Sequence, residues 1–186
     1  MNPFEPFPVF ETPRLILRKI ERSDLNAIYQ LQSNPRVVEY FGRPAHSRIE
    51  QSEELLHKIA DGVQNGTSVR WAITIKPSLE FIGSTGFWRW NQPHFNAEIG
   101  YELAPDFWGR GIMVEAIQPT LVFAFDTMKL HRVEANVEPN NKGSVRVLEK
   151  LGFQREALLR ENWFDGKSFT STAHYGLLQA DLAALS

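Results

Sequence analysis

Between Ser68 and Leu103 three apolar runs follow one another with brief polar links, and that rhythm limits the fold more than any other feature of the chain. The runs are Val69–Ile75, Phe81–Trp90 and Ala97–Leu103, joined by a turn around Pro77 to Glu80 and a polar stretch from Asn91 to Asn96. Short β-branched and aromatic segments so closely linked read as successive hairpin strands, hence as an antiparallel meander. The third run leads into a turn, PDFWGRG, and then a helix from Ile112 to Met128. That helix puts Met113, Ile117, Leu121, Ala124 and Met128 on one face, with Pro119 inside it as a kink.

The flanks complete the pattern. Leu15 to Ile20 reads as a strand after Pro13; Leu25, Ile28, Tyr29 and Leu31 lie at helical spacing until Asn34-Pro35, and a second helix runs from about Ile49 to Val63. The polar stretch between these helices, with Pro35, Gly42 and Pro44, has the character of a pocket-lining loop. Beyond the long helix come a strand from Leu130 to Val137 and a short helix from Gly143 to Leu151, ended by Gly152. Two final strands, roughly Phe153 to Arg160 and Phe169 to Leu178, are joined by a turn at Asp165-Gly166. The predicted order is β-α-α-β-β-β-α-β-α-β-β, an α+β fold.

At 186 residues, 42% of them hydrophobic, the chain can bury one sizeable core, so residues 12–186 are expected to form a single domain after a Pro-rich leader, residues 1–11. Four prolines and two acids in MNPFEPFPVFETPR do not make a secretory signal. Phe4, Phe7, Val9 and Phe10 offer that leader a way to dock on the body or on a second copy, which leaves a homodimer open, but a loose tail is the simpler expectation. Leu121 to Phe125, the most apolar segment, falls far short of the ~20 residues that cross a bilayer. A net charge of −2 gives no basis for a nucleic-acid or membrane partner. The absence of cysteine excludes disulfides, thiolate metal sites and a cysteine nucleophile, and fits a cytoplasmic location. The five histidines show no paired-ligand spacing, so no metal is expected.

Gly109 and Gly111, separated by one residue just before a helix, let the backbone pass close to a ligand and aim N–H groups at it beside the positive helix end. Taken alone, such a pair is more often a plain strand-to-helix turn than a phosphate site. A second stretch, NVEPNNKGSVRVLEKLGF, carries a strand end into Asn141 and a short helix bearing Ser144.

With AEIGYEL, the FWGRGIMVEA turn and the N-x-x-S and LEKLGF segments in this order, the chain resembles the GNAT superfamily of acetyl-coenzyme-A-dependent N-acetyltransferases, and within it the Rim-type ribosomal-protein N-terminal acetyltransferases. The resemblance runs from TPRLILR at Thr12 to about Leu178. It implies a mixed sheet splayed between the AEIGYEL strand and the strand from Leu130, with the pantetheine arm of acetyl-CoA in the opening. It also implies that the amides of Trp108, Gly109, Arg110, Gly111 and Ile112 hold the pyrophosphate, that Leu103 bonds the pantetheine through its backbone, and that Asn141 holds the arm from the other side. Asp106 stands where the family carries a polar or basic residue, so it is expected to face solvent or a cation such as Arg110.

Strand alternation puts Glu98, Gly100 and Glu102 on one face and Ala97, Ile99, Tyr101 and Leu103 on the other. Glu98 matches the position of the family's base; a charge on a half-buried strand is otherwise a solvated or salt-bridged one. Glu102 is a weaker candidate and Glu115 reads as a pairing residue. The tyrosine that many members use to protonate the leaving thiolate is replaced by Leu148, whereas Rim-like members place a serine at the position of Ser144. On sequence alone that serine reads as a helix cap; the resemblance makes it a thiolate contact. The activity implied is acetyl transfer to a primary amine, first a protein N-terminal α-amine. The alternatives are a small amine (antibiotic, polyamine or amino acid derivative) or a CoA sensor without catalysis. One or two of Trp71, Phe87, Trp88, Trp90 and Phe95 are expected to line the acceptor cleft, together with the Arg36 to His46 loop.

Overall fold

The expected meander forms the middle of an eight-stranded sheet in the computed structural model, which describes residues 2–183. The strands are β1 (Phe10–Glu11), β2 (Leu15–Lys19), β3 (Val69–Ile75), β4 (Glu80–Asn91), β5 (Asn96–Leu103), β6 (Arg132–Val137), β7 (Gln154–Phe164) and β8 (Phe169–Leu178), in spatial order β1-β2-β3-β4-β5-β6-β8-β7. Every neighbouring pair is antiparallel except β5 and β6, which are parallel. The crossover between those two contains α4 (Ile112–Asp126), as a parallel connection requires.

The remaining helices are α1 (Leu25–Ser33), α2 (Pro35–Val38), α3 (Ile49–Gln64), α5 (Lys142–Lys150) and α6 (Gln179–Ala183). Asn34-Pro35 ends α1 as expected, but it also starts α2. Asn34 Oδ1 accepts from the Arg36 amide, and Pro35, which has no N–H to leave unpaired, fits the first helical turn. The last hairpin is longer than expected. A bulge between Leu159 and Trp163, with Glu161 at φ 49°, carries β7 past Arg160 to Phe164.

The largest departure is the leader. Phe4 is 1% exposed and its ring centroid lies 6.0 Å from that of Trp90 and 6.4 Å from that of Phe123. Phe7 and Phe10 pack on Trp71, whose Nε1 donates to the Pro8 carbonyl at 2.8 Å. The expectation of a loose tail therefore fails. Burying a Phe side chain stabilises by roughly 1.5–3 kcal/mol, enough to fix a proline-stiffened segment that has little entropy to lose.

The two sheet faces carry different helices. Trp71 and Phe87 join the core beside Phe123 of α4, whereas Gln32 of α1 reaches Glu102 on the opposite face. Glu98 and Glu102 thus share the α1 side, and Tyr101 and Leu103 the other, as the alternation predicts.

Candidate active site

The parallel pairing of β5 with β6 stops early. It covers Asn96↔Arg132, Ala97↔Val133 and Glu98↔Glu134, after which the two strands diverge. The Ala104 amide bonds to Ile82 O, so in the antiparallel alternation Tyr101 and Leu103 turn their peptide groups away from β4 and toward the gap. Two cavities occupy the region, one of about 610 Å³ on the α4 and α5 side and one of about 400 Å³ beside β3, β4 and α1. They meet at Tyr40, Phe41, Tyr101, Glu102, Asn141 and Ser144.

The larger cavity is shaped for an anion at one end. Gly109 and Gly111 adopt φ +72° and +74°; a Cβ at Gly109 would meet nothing within 4 Å, and at Gly111 only an Arg14 guanidinium nitrogen, at 3.7 Å. Open space in front of a left-handed backbone, at the start of a 15-residue helix, fits phosphate oxygens. Trp108 departs from the expected set, since its amide already donates to Pro105 O at 3.1 Å. Its indole Nε1 instead donates to Leu103 O at 2.7 Å, so that carbonyl is partly committed while the ring lines the cleft under Arg36. The amides of Gly109, Arg110, Gly111 and Ile112 have no such acceptor among the described residues. Asp106 is exposed, as expected, and Arg110 lies over the Phe107 ring.

The junction of the cavities is built by α5. Asn141 caps this helix, its Oδ1 accepting from the Ser144 amide at 3.0 Å. Ser144 is therefore not the cap. Its Oγ lies 2.7 Å from the Tyr101 hydroxyl, which is also 3.2 Å from the Ser144 carbonyl. Burial pushes the Tyr101 phenol far above its ordinary range, with the hydrogen bond to Ser144 opposing, so it holds its proton at any working pH. Leu148, where the family's tyrosine would stand, is 1% exposed and belongs to the core.

In the smaller cavity the two β5 carboxylates have different surroundings. Glu98 is 13% exposed; its Oε2 accepts from Arg89 at 2.8 Å and its Oε1 takes no protein donor among the described residues. Glu102 is buried and bound on both oxygens, by Arg70 at 3.0 Å and Ser84 at 2.9 Å on Oε1 and by Gln32 on Oε2. That leaves Glu102 no role as a base. Of the five aromatics expected at the acceptor cleft, Trp88 lines this cavity, lying so close over Gly100 that a Cβ there would collide with its ring. Glu115 lies outside both cavities and ties α4 to the start of β2. Burial opposes its charge, but hydrogen bonds from Thr12 and from the Arg14 amide and guanidinium outweigh that and hold it below the ordinary carboxylate range.

Residues 14–154 match the acetyltransferase (GNAT) domain family. The chain belongs to the GNAT acetyltransferase family. It is 36% identical to the uncharacterized N-acetyltransferase YoaA of Bacillus subtilis over 173 residues, 93% of this chain and 98% of that one. The spermidine N-acetyltransferase of Vibrio cholerae, solved in complex with CoA and spermine, matches with a TM-score of 0.82 at 25% identity, covering 92% of this chain and 99% of that one. Ribosomal-protein-S5-alanine acetyltransferase from Vibrio fischeri shares the fold, with a TM-score of 0.81 at 22% identity, covering 94% of this chain and 98% of that one.

In this GNAT acetyltransferase the two cavities are also bordered by residues that sequence reasoning did not single out. Lys142, Arg146 and Lys150 line the larger cavity from one face of α5, and their spacing of four was a readable signal. Tyr101 as the partner of Ser144, and Arg43 and Gln32 beside Glu102, arise from contacts between distant segments. Among the described residues there is no group of three His, Asp or Glu placed to hold a metal, and no helix is long and apolar enough to cross a membrane.

Proposed function

We propose that this GNAT N-acetyltransferase moves an acetyl group from acetyl-CoA directly to a primary amine, a protein N-terminal α-amine being the first acceptor to test. The observation that carries the reading is the meeting of the two cavities at the Tyr101–Ser144 pair. The basic, glycine-lined cavity fits the phosphates of CoA, with Gly109 to Ile112 at the pyrophosphate and Lys142, Arg146 and Lys150 supplying positive charge. Leu103, through its N–H, and Asn141 face the pantetheine path. Acetyl-CoA supplies an activated thioester, and the residues around it supply the rest.

Glu98, which lines the acceptor-side cavity and keeps one oxygen without a protein donor among the described residues, takes the role of accepting a proton from the attacking amine, directly or through water, as the N–C bond forms. As the C–S bond breaks, the Ser144 hydroxyl donates a hydrogen bond to the sulfur while Tyr101 donates to Ser144 Oγ, keeping the serine proton aimed at the growing charge. A chain without cysteine has no thiol to carry the acyl group, which favours direct transfer in a ternary complex. A small amine is the second reading, favoured by the spermidine acetyltransferase among the relatives. The test is thiol release from acetyl-CoA with a panel of peptides and small amines. Amine-dependent release supports transfer; tight CoA binding with no release on any amine supports a sensor.

A further inference from the structure

The smaller cavity carries an unbalanced positive charge at its Glu102 end. Arg70 and Glu102 form one ion pair at 3.0 Å, with Arg70 Nε also donating to Ser84 Oγ at 2.8 Å. Arg43 joins the same cluster through Gln32, whose Oε1 accepts from the guanidinium while its Nε2 donates to Glu102. Arg43 also lies 5.5 Å over the Phe41 ring and bonds to Pro44 O, but it makes no ion pair among the described residues. Two guanidiniums therefore face one carboxylate. Nearby His46 resists adding further positive charge, because burial and then Arg43 itself hold its pKa below the ordinary range. Desolvation lowers the pKa of Arg43 itself; Glu102 opposes that, and Arg70 adds a smaller lowering effect.

Glu98, which also lines the cavity, stands about 13 Å along β5 from Glu102 at ~3.3 Å per residue and is already paired with Arg89. Glu138 lies across the gap on the β6 side, four residues past the Glu98↔Glu134 pairing and so level with Glu102, and takes a hydrogen bond from Asn140 rather than from Arg43. Arg43 is thus the cavity-lining guanidinium left without a carboxylate partner among the described residues. We propose that the acceptor carries a carboxylate a few bonds from its amine, and that Arg43 selects it by binding that carboxylate. This rests on the acetyl-transfer reading above. A planar guanidinium with unused N–H groups matches a carboxylate fork, and at a partly dry site the attraction exceeds its value in water. A polyamine would bring a second ammonium toward two guanidiniums, a repulsion that selects against it. Two sources present the required group: the α-carboxylate of a free amino acid, or an acidic side chain beside a peptide N-terminus.

The experiment compares kcat/KM for leucine and leucinamide, for a Ser-Glu and a Ser-Gln N-terminal peptide, and for spermidine, in wild type, Arg43→Gln and Arg43→Lys, with thermal melting to confirm folding. The expected result is an acid preferred over its amide by at least tenfold in one pair, which identifies the source. Arg43→Gln should raise KM for that acid at least tenfold, with the smaller effect on kcat, and collapse the acid-to-amide ratio; Arg43→Lys should retain part of it. Equal rates for acid and amide in both pairs, spermidine faster than every acid, or an unchanged ratio in Arg43→Gln would overturn the proposal. If no amine is acetylated, calorimetry of CoA-loaded protein with the same acids separates the two ideas. Acid binding that Arg43→Gln abolishes supports Arg43 and rejects transfer, whereas no acid binding rejects Arg43.

Discussion

The Tyr101 hydroxyl lies 2.7 Å from Ser144 Oγ, joining the C-terminal half of β5 to the first turn of α5 across the gap where the sheet opens. The phenol has one proton and two oxygens of Ser144 within reach. When it donates to Oγ, the serine proton is free for the sulfur. Tyr101→Phe is therefore expected to lower kcat several-fold with little change in acetyl-CoA affinity. In a Ser144→Ala background the same change should have no further effect, since both act through one hydrogen bond. Additive losses in the double mutant would make Tyr101 a packing residue only.

Glu98 keeps one oxygen free toward the acceptor cavity, and replacing it by Gln retains shape while removing basicity. The expected loss in kcat for Glu98→Gln is roughly 10²-fold, the scale of positioned general-base catalysis, with acetyl-CoA affinity preserved. A normal pH–rate profile in this variant would move the role to water.

At the phosphate turn, Gly111→Val is expected to weaken acetyl-CoA binding in a folded protein, because its side chain enters the open space before the amides and the φ of +74° strains any non-glycine residue. Calorimetry reads this directly. Unchanged affinity would remove the turn from the site.

Glu115 gives a prediction about acid. Its pKa is lowered in the folded state from an ordinary 4.5, so the unfolded chain takes up the proton first as pH falls. The contribution is complete above that value and is lost as pH drops through the folded pKa. Melting temperature should consequently fall more steeply below pH 4.5 in wild type than in Glu115→Gln, which has nothing there to protonate. Parallel curves would show that the Thr12 and Arg14 contacts contribute no linkage.

The meander, the glycine turn and the four longer helices, α1, α3, α4 and α5, were legible in the sequence because each is set by local periodicity or by residues a few positions apart; the short α2 and α6 were not. So were the splayed strands, through the motif resemblance. The docking of Phe4 was not, since a short proline-rich segment has no period and its partners Trp90 and Phe123 lie far along the chain. Asn141 and Ser144 show the limit at finer scale. Both residue types favour a helix start, and only the hydrogen bond from the Ser144 amide to Asn141 decides which is the cap. Trp108 likewise sits in the expected loop, yet its amide is spent locally on Pro105.

Because Asn141 holds the cap, Ser144→Ala separates catalysis from folding more cleanly than a sequence reading allows. The decisive measurement is kcat of Ser144→Ala beside its melting temperature, on one preparation, with the best amine found. We expect kcat to fall on the order of tenfold or more with melting and acetyl-CoA affinity close to wild type, since the hydroxyl acts as charge develops on sulfur. Turnover per folded molecule equal to wild type would contradict a role for Ser144 in the transfer.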